Sequence, residues 1–181
     1  YVQMDLPAGE HKTPEFLARN PMGRVPVIEH KGLHLSESNA ICRYLAEVEG
    51  SSLYTGDSYN KALINQWIDT LSLHIGRWLT VYYFEELIRP TFFQIEPDQD
   101  AIKEAAGFLE QQLPVLDAQL KQHPFIAGGQ LSIADTIGFA FFHTHEFSSA
   151  SIDQYPNISR WYQAIRKSEF FKRAEPKITL G

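Results

Sequence analysis

The chain is poor in several features that mark out particular kinds of protein, and each shortage excludes something. Its 181 residues include a single cysteine, Cys42, so no internal disulfide can form and folding calls for no oxidising compartment. No apolar run approaches the roughly 20 residues a membrane span needs, and no charged-then-apolar leader is visible at the start. There is no basic excess either. Its 16 Lys and Arg stand against 22 Asp and Glu, a net charge of -6 with both signs mixed along the chain, which argues against tracking a phosphate backbone. Internal repeats and low-complexity tracts are also lacking. These absences lead us to expect a cytoplasmic protein without nucleic-acid or membrane partners. What is present, 44% hydrophobic and 21% charged residues, suits an ordinary globule of one or two domains.

The pattern changes character over 49–58, where Gly50, Ser51, Ser52, Gly56 and Asp57 interrupt the apolar periodicity. A linker there predicts two domains, 1–50 and 58–181. In the first, β-rich runs at 25–29 and 32–35 read as a hairpin turning across His30-Lys31-Gly32, followed by a helix over about 38–48. That is an α/β piece. In the second, Leu63, Trp67, Thr70, Leu71, His74 and Trp78 recur at helical spacing, and Phe108, Leu109, Leu113, Leu116 and Leu120 do so again, which predicts an all-α bundle. Ser132 with Asp135 has the form of a short-armed capping box. Tyr155-Pro156-Asn157 places Pro where a first helical turn tolerates it, ahead of an apolar face of Ile158, Trp161, Tyr162 and Ile165. Ser168-Glu169 opens a short last helix. Arg89-Pro90-Thr91 and Glu96-Pro97-Asp98 are expected to bracket a loop, since Pro disfavours helix in the residue before it.

The most informative stretch is Asn20-Pro21-Met22-Gly23-Arg24-Val25-Pro26-Val27-Ile28-Glu29, followed after one turn by Leu35-Ser36-Glu37-Ser38-Asn39-Ala40-Ile41. A Pro ahead of a strand, then an acid and a hydroxyl opening a helix, can together hold a small zwitterionic peptide. A helix start presents unpaired amides and a partial positive charge suited to a carboxylate. At this spacing the two motifs resemble the glutathione site of the glutathione S-transferase family. The resemblance implies a thioredoxin-like N-terminal domain followed by a helical-bundle C-terminal domain. It implies a cis bond before Pro26, which exposes the Val25 amide and carbonyl to the cysteinyl main chain of glutathione as if to an added strand. By the same resemblance Ser38 receives the γ-glutamyl carboxylate and Glu37 the neighbouring ammonium.

The phrase Asp5-Leu6-Pro7-Ala8-Gly9-Glu10-His11-Lys12, with Phe16-Leu17-Ala18-Arg19-Asn20-Pro21-Met22-Gly23 after it, is similar to the phi class and, more loosely, the theta class. In those classes the matching positions, here His11, Lys12 and Arg24, face the glycine carboxylate of glutathione. Phi-class chains more often carry Gln where Arg24 stands, and Arg where Asn39 stands. Family members also have a first strand and first helix ahead of the segment that begins here, with a thiol-activating serine in the loop between them. Residues 1–5 then correspond to the second strand, the domain is N-terminally incomplete, and the catalytic serine is expected upstream. No catalytic residue is assigned within the chain.

The function implied is a glutathione transferase, usually homodimeric, that takes glutathione as co-substrate and joins its thiolate to a small hydrophobic electrophile. The alternatives are a non-catalytic ligand carrier of the same fold, or a glutathione-dependent peroxidase, dehalogenase or isomerase. Trp78, Tyr82, Tyr83 and Phe84 could line a pocket for the second substrate, but an aromatic stripe at helical spacing reads first as core. Cys42, between Ile41 and Arg43 with no second cysteine, reads as a small hydrophobe. His143 and His145 lack the i, i+4 spacing that grips zinc, and no metal is expected.

Overall fold

The computed structural model describes residues 1–174, and the chain divides into two compact units, Tyr1–Asp57 and Ser58–Gly181. The end of the helical domain expected over 58–181, residues 175–181, lies outside the described residues.

In the first unit, residues 1–5 do not form the strand expected of them. An extended segment becomes a strand only when its backbone groups find a ladder. Here the chain curls on itself instead: the Asp5 amide donates to the Glu10 carboxylate at 2.7 Å, and the Asp5 carboxylate accepts from the Ala8 amide at 2.9 Å. A 3₁₀ turn, Glu10–Lys12, leads to α1, Pro14–Arg19, where Thr13 caps the Phe16 amide and Pro14 occupies the first turn. Strands β1, Val27–His30, and β2, Leu33–Ser36, form an antiparallel hairpin with Val27 opposite Ser36 and Ile28 opposite Leu35. Lys31 and Gly32, at φ 54 and 77, make the tight turn, whose backbone twist matches the right-handed twist of the strands it joins. β1 starts at Val27, two residues later than expected, because Pro26 has no N–H to give a ladder. Helix α2, Ser38–Val48, buries Ile41 and Ala46.

The second unit opens with one continuous helical run. Helix α3, Ser58–Thr70, passes through a π turn, Leu71–Ile75, into α4, Gly76–Tyr83, and then into a second wide stretch, Phe84–Phe93. Two expectations are corrected here. Pro90 lies inside the run rather than at its end, since helices tolerate a missing N–H where their turns widen, and the loop is confined to 94–98. The buried stripe is Ile64, Ile68, Leu71, Ile75, Leu79 and Tyr82, displaced from the predicted one. Both stripes have helical spacing, and packing selected the one richer in aliphatic side chains, leaving Trp67 and Trp78 at its margin.

Helix α5, Gln99–Gln122, is capped by Asp98 and buries Leu109, Leu113, Leu116 and Leu120, as its periodicity predicts, whereas Phe108, expected on the same stripe, is exposed. Helices α6, Ile133–Phe142, α7, Pro156–Arg166, and α8, Glu169–Ala174, complete the described chain. The α7 face of Ile158, Trp161, Tyr162 and Ile165 is buried, and the Ser168 hydroxyl accepts from the Phe171 amide at 3.3 Å. The Ser132–Asp135 capping box forms, and Asp135, fully buried, does more than close it. Its carboxylate also accepts from the Ile126 amide at 2.8 Å and the Trp161 indole at 3.0 Å. Burial raises its pKa, and these donors together with those of Ser132 oppose the rise. A second carboxylate, Asp117 on α5, caps α7 by accepting from the Asn157 and Ile158 amides at 2.8 and 3.0 Å.

Candidate functional site

Asn20 organises the turn ahead of the proline. It is 3% exposed; its amide group donates to the Arg24 carbonyl at 2.7 Å and accepts from the Met22 amide at 3.1 Å, while its own carbonyl accepts from the Gly23 amide at 2.8 Å. Lys12 Nζ donates to the Gly23 carbonyl at 3.0 Å, drawing the first 3₁₀ turn against the same loop. Gly23 is needed there twice over: its φ is 58, and a Cβ would sit 2.9 Å from that ammonium. The loop so fixed delivers Val25-Pro26 with a cis peptide bond, as the resemblance implies. The Val25 amide and carbonyl have no hydrogen-bond partner among the described residues, and the side chain is 43% exposed.

Beyond the Val27–Ser36 pair, the hairpin register brings Val25-Pro26 and Glu37-Ser38 to the same end of the sheet. Glu37 is the N-cap of α2 with φ 71 and ψ 115, a conformation that costs a non-glycine residue of order 1–3 kcal/mol. Ser38 is therefore the first helical residue and not the cap that an isolated Glu-Ser would suggest. Its hydroxyl, the exposed Glu37 carboxylate and the exposed Arg24 guanidinium make no hydrogen bond or ion pair among the described residues. His11 follows the same pattern, with Nδ1 buried and without a partner among them.

The structure thus gathers His11, Lys12, Arg24, Val25, Pro26, Glu37 and Ser38 on one unit, five of them around the hairpin end. Lys12 is the exception in being engaged already. Sequence reasoning missed the role of Asn20, for which the Asn-Pro-x-Gly turn is a signal, and the strained backbone of Glu37, for which there is none.

Other groups singled out in the sequence show burial or contacts of their own. Cys42 is half-buried, and burial pushes its thiol pKa up against a smaller opposing pull from Arg43, so it stays protonated and unreactive at neutral pH. Trp78 stacks on Phe108 with ring centroids 4.3 Å apart, and Tyr82 is buried in the bundle. His143 Nδ1 lies 2.8 Å from the Tyr162 hydroxyl, which donates to Glu146 at 2.5 Å. No cluster of three or more His, Cys, Asp or Glu among the described residues is placed to hold a metal ion, and no helix among them is long and apolar enough to cross a membrane.

Comparison with known proteins extends the pattern to both units. The family described as glutathione S-transferase, N-terminal domain, matches residues 1–47, and glutathione S-transferase, C-terminal domain, matches residues 75–169. An Oryza sativa subsp. japonica protein named Probable glutathione S-transferase GSTF2 is 33% identical over 165 residues, covering 89% of this chain and 76% of its own length. The crystal structure of glutathione transferase F7 from Populus trichocarpa superposes with a TM-score of 0.88 at 28% identity, covering 95% of this chain and 83% of that one. Glutathione S-transferase-I, solved with lactoylglutathione bound, gives 0.87 at 28% identity with the same coverage.

Proposed function

The chain belongs to the glutathione S-transferase family, in its phi-like branch, and on that footing we propose that the cis-proline loop and the start of α2 form one cradle for the main chain of glutathione. It is a glutathione transferase, with glutathione as its co-substrate and a thioredoxin-like domain ahead of a helical one. We assign the first of these to 1–50 and the second to 58–181.

The observation that supports the cradle best is the unpaired Val25 amide and carbonyl beside the cis bond, next to a helix start whose hydroxyl and flanking carboxylate are also unengaged. An extended cysteinyl residue pairs with Val25 as an added strand. The γ-glutamyl carboxylate takes the Ser38 hydroxyl and amide, where the dipole of α2 favours a negative charge. The ammonium on the same α-carbon faces Glu37. The glycine carboxylate at the other end falls to His11, Lys12 and Arg24, of which Arg24 offers a guanidinium not already bound.

These residues bind and orient. A free thiol with pKa about 8.5 is only a few per cent ionised at neutral pH, and lowering it by two units takes about 2.7 kcal/mol of differential interaction. The bound thiolate then attacks a small hydrophobic electrophile, forming a carbon–sulfur bond and expelling the leaving group or, in an addition, taking up a proton. We assign thiol activation to none of the described residues. The working protein is a cytoplasmic homodimer in this reading.

Ser38→Ala tests the cradle. Because Ser38 caps nothing, the substitution should leave thermal stability almost unchanged, within about 0.5 kcal/mol, while calorimetry shows glutathione bound at least about tenfold more weakly. Unchanged affinity would remove Ser38 and the orientation built on it.

A further inference from the structure

A second concave site lies wholly within the helical unit, and no residue assigned to glutathione lines it. Leu79 of α4 and Leu109 and Leu113 of α5 form its apolar floor, Tyr82 and Tyr155 stand at its sides, and Glu110 lies on its edge, enclosing about 120 Å³. Glu110 is exposed and is the single ionised side chain among the lining residues. It forms no ion pair and no hydrogen bond among the described residues, and no Lys or Arg lines the cavity with it. The two phenols are equally unengaged: neither hydroxyl has a hydrogen-bond partner among the described residues, although Tyr82 is only 9% exposed.

Polar groups left uncommitted by the fold beside an apolar lining are the combination that ligand pockets share. The sign of its charge selects the ligand. Burial raises the pKa of both phenols, and the Glu110 carboxylate raises them further, joined by Glu86 at Tyr82 and by Asp117 at Tyr155. Both rings thus remain neutral hydroxyls within a negative field, an environment that repels anions and rewards cations. Tyrosine rings, of which the cavity has two in its lining, also attract a positive group placed over their faces. The volume is well below the several hundred Å³ of an ordinary ligand pocket, so the guest is compact.

We propose that this cavity binds a small organic cation, an ammonium group on a compact apolar body, with the ammonium directed at Glu110 and the phenol hydroxyls and the body on the leucine floor.

The test uses the full chain and three probes of one size: benzylammonium, benzyl alcohol and benzoate. Backbone amide NMR shifts of residues 106–113 and 150–155 should move saturably with benzylammonium, about fivefold less tightly with benzyl alcohol, and not at all with benzoate. Glu110→Gln, an isosteric change on the exposed rim, should bring benzylammonium down to the affinity of the alcohol. Tyr155→Phe should weaken it by a smaller factor. Equal affinity for the three probes, shifts confined to other residues, or full benzylammonium affinity in Glu110→Gln would each overturn the assignment.

Discussion

Arg24 and Lys12 carry the same charge near the same loop, yet their substitution should have different consequences. Lys12 holds the Gly23 carbonyl at 3.0 Å and so belongs to the loop's own structure, whereas the Arg24 guanidinium has no partner among the described residues. Arg24→Ala should weaken glutathione by about fivefold with no change in melting temperature, and should scarcely alter the affinity for an analogue whose glycine carboxylate is an amide. Lys12→Ala should lower both affinity and melting temperature, since it leaves a carbonyl without its donor. Calorimetry with the two ligands, beside thermal unfolding, separates these cases; if Arg24→Ala weakens both ligands alike, the guanidinium does not face that carboxylate. Glu37 shows at this scale why a site is hard to read in sequence. A glutamate gives no hint that its backbone sits at φ 71, yet that conformation moves Ser38 from the cap into the helix and leaves its hydroxyl unspent.

Among the elements, the junction between α4 and α6 depends on a glycine. A Cβ on Gly76 would overlap the Phe141 ring, so the two helices approach as closely as they do only because Gly76 has no side chain. Gly76→Ala should therefore destabilise the fold by about 1–3 kcal/mol, even though alanine is the better helix former; denaturant unfolding that shows a gain would contradict the close approach. The 3₁₀ turn His143–Phe147 makes a prediction about pH. Burial pushes the His145 pKa below its ordinary 6.5, with Glu146 pulling the other way and His143 reinforcing the fall, and His145 Nε2 is buried without a partner among the described residues. The folded state then holds fewer protons than the unfolded state between the lowered value and 6.5, so stability falls as the pH drops through that interval. Glu146 acts in the same direction at lower pH. Burial raises its carboxyl, but the Tyr162 and Arg166 hydrogen bonds and the neighbouring positive charges prevail, and the stability they supply is lost as the pH falls through its depressed pKa. Melting temperature should decline from about pH 7 to 5, and His145→Gln should flatten the upper part of that decline; an unaltered slope would place the titration elsewhere.

For the molecule as a whole, a ligand held by the native first unit and not by the unfolded chain must raise stability by mass action. Glutathione at one hundred times its dissociation constant should stabilise that unit by about 2.7 kcal/mol, read as a shift in its melting transition that a tenfold weaker Ser38→Ala variant cuts to about half at the same concentration. Sedimentation of the full chain should give twice the monomer mass; a single monomeric species at micromolar concentration would count against the dimer. The parts of this architecture legible in the sequence are those governed by near neighbours. The turn at Lys31-Gly32, the Ser132–Asp135 box and the Pro156 start of α7 depend on residues within a few positions of one another, and the glutathione motif is compact enough to be recognised whole. What needed the folded chain depends on distant segments meeting. Asp135 reaches Trp161, 26 residues on, and Asp117 caps a helix that starts about 40 residues later. The buried stripe of α3 and α4 was one of two with helical spacing, and the cavity of Tyr82, Glu110 and Tyr155 draws on three separate segments. Sequence by itself determined the family, the hairpin and most of the helices, and it pointed to the residues proposed to meet glutathione, because local hydrogen bonding and motif spacing are written along the chain. Tertiary structure alone decided which apolar face is core, which charges remain unpaired and where a second ligand fits, because burial and Coulomb interaction depend on distance in space and not on position in the chain.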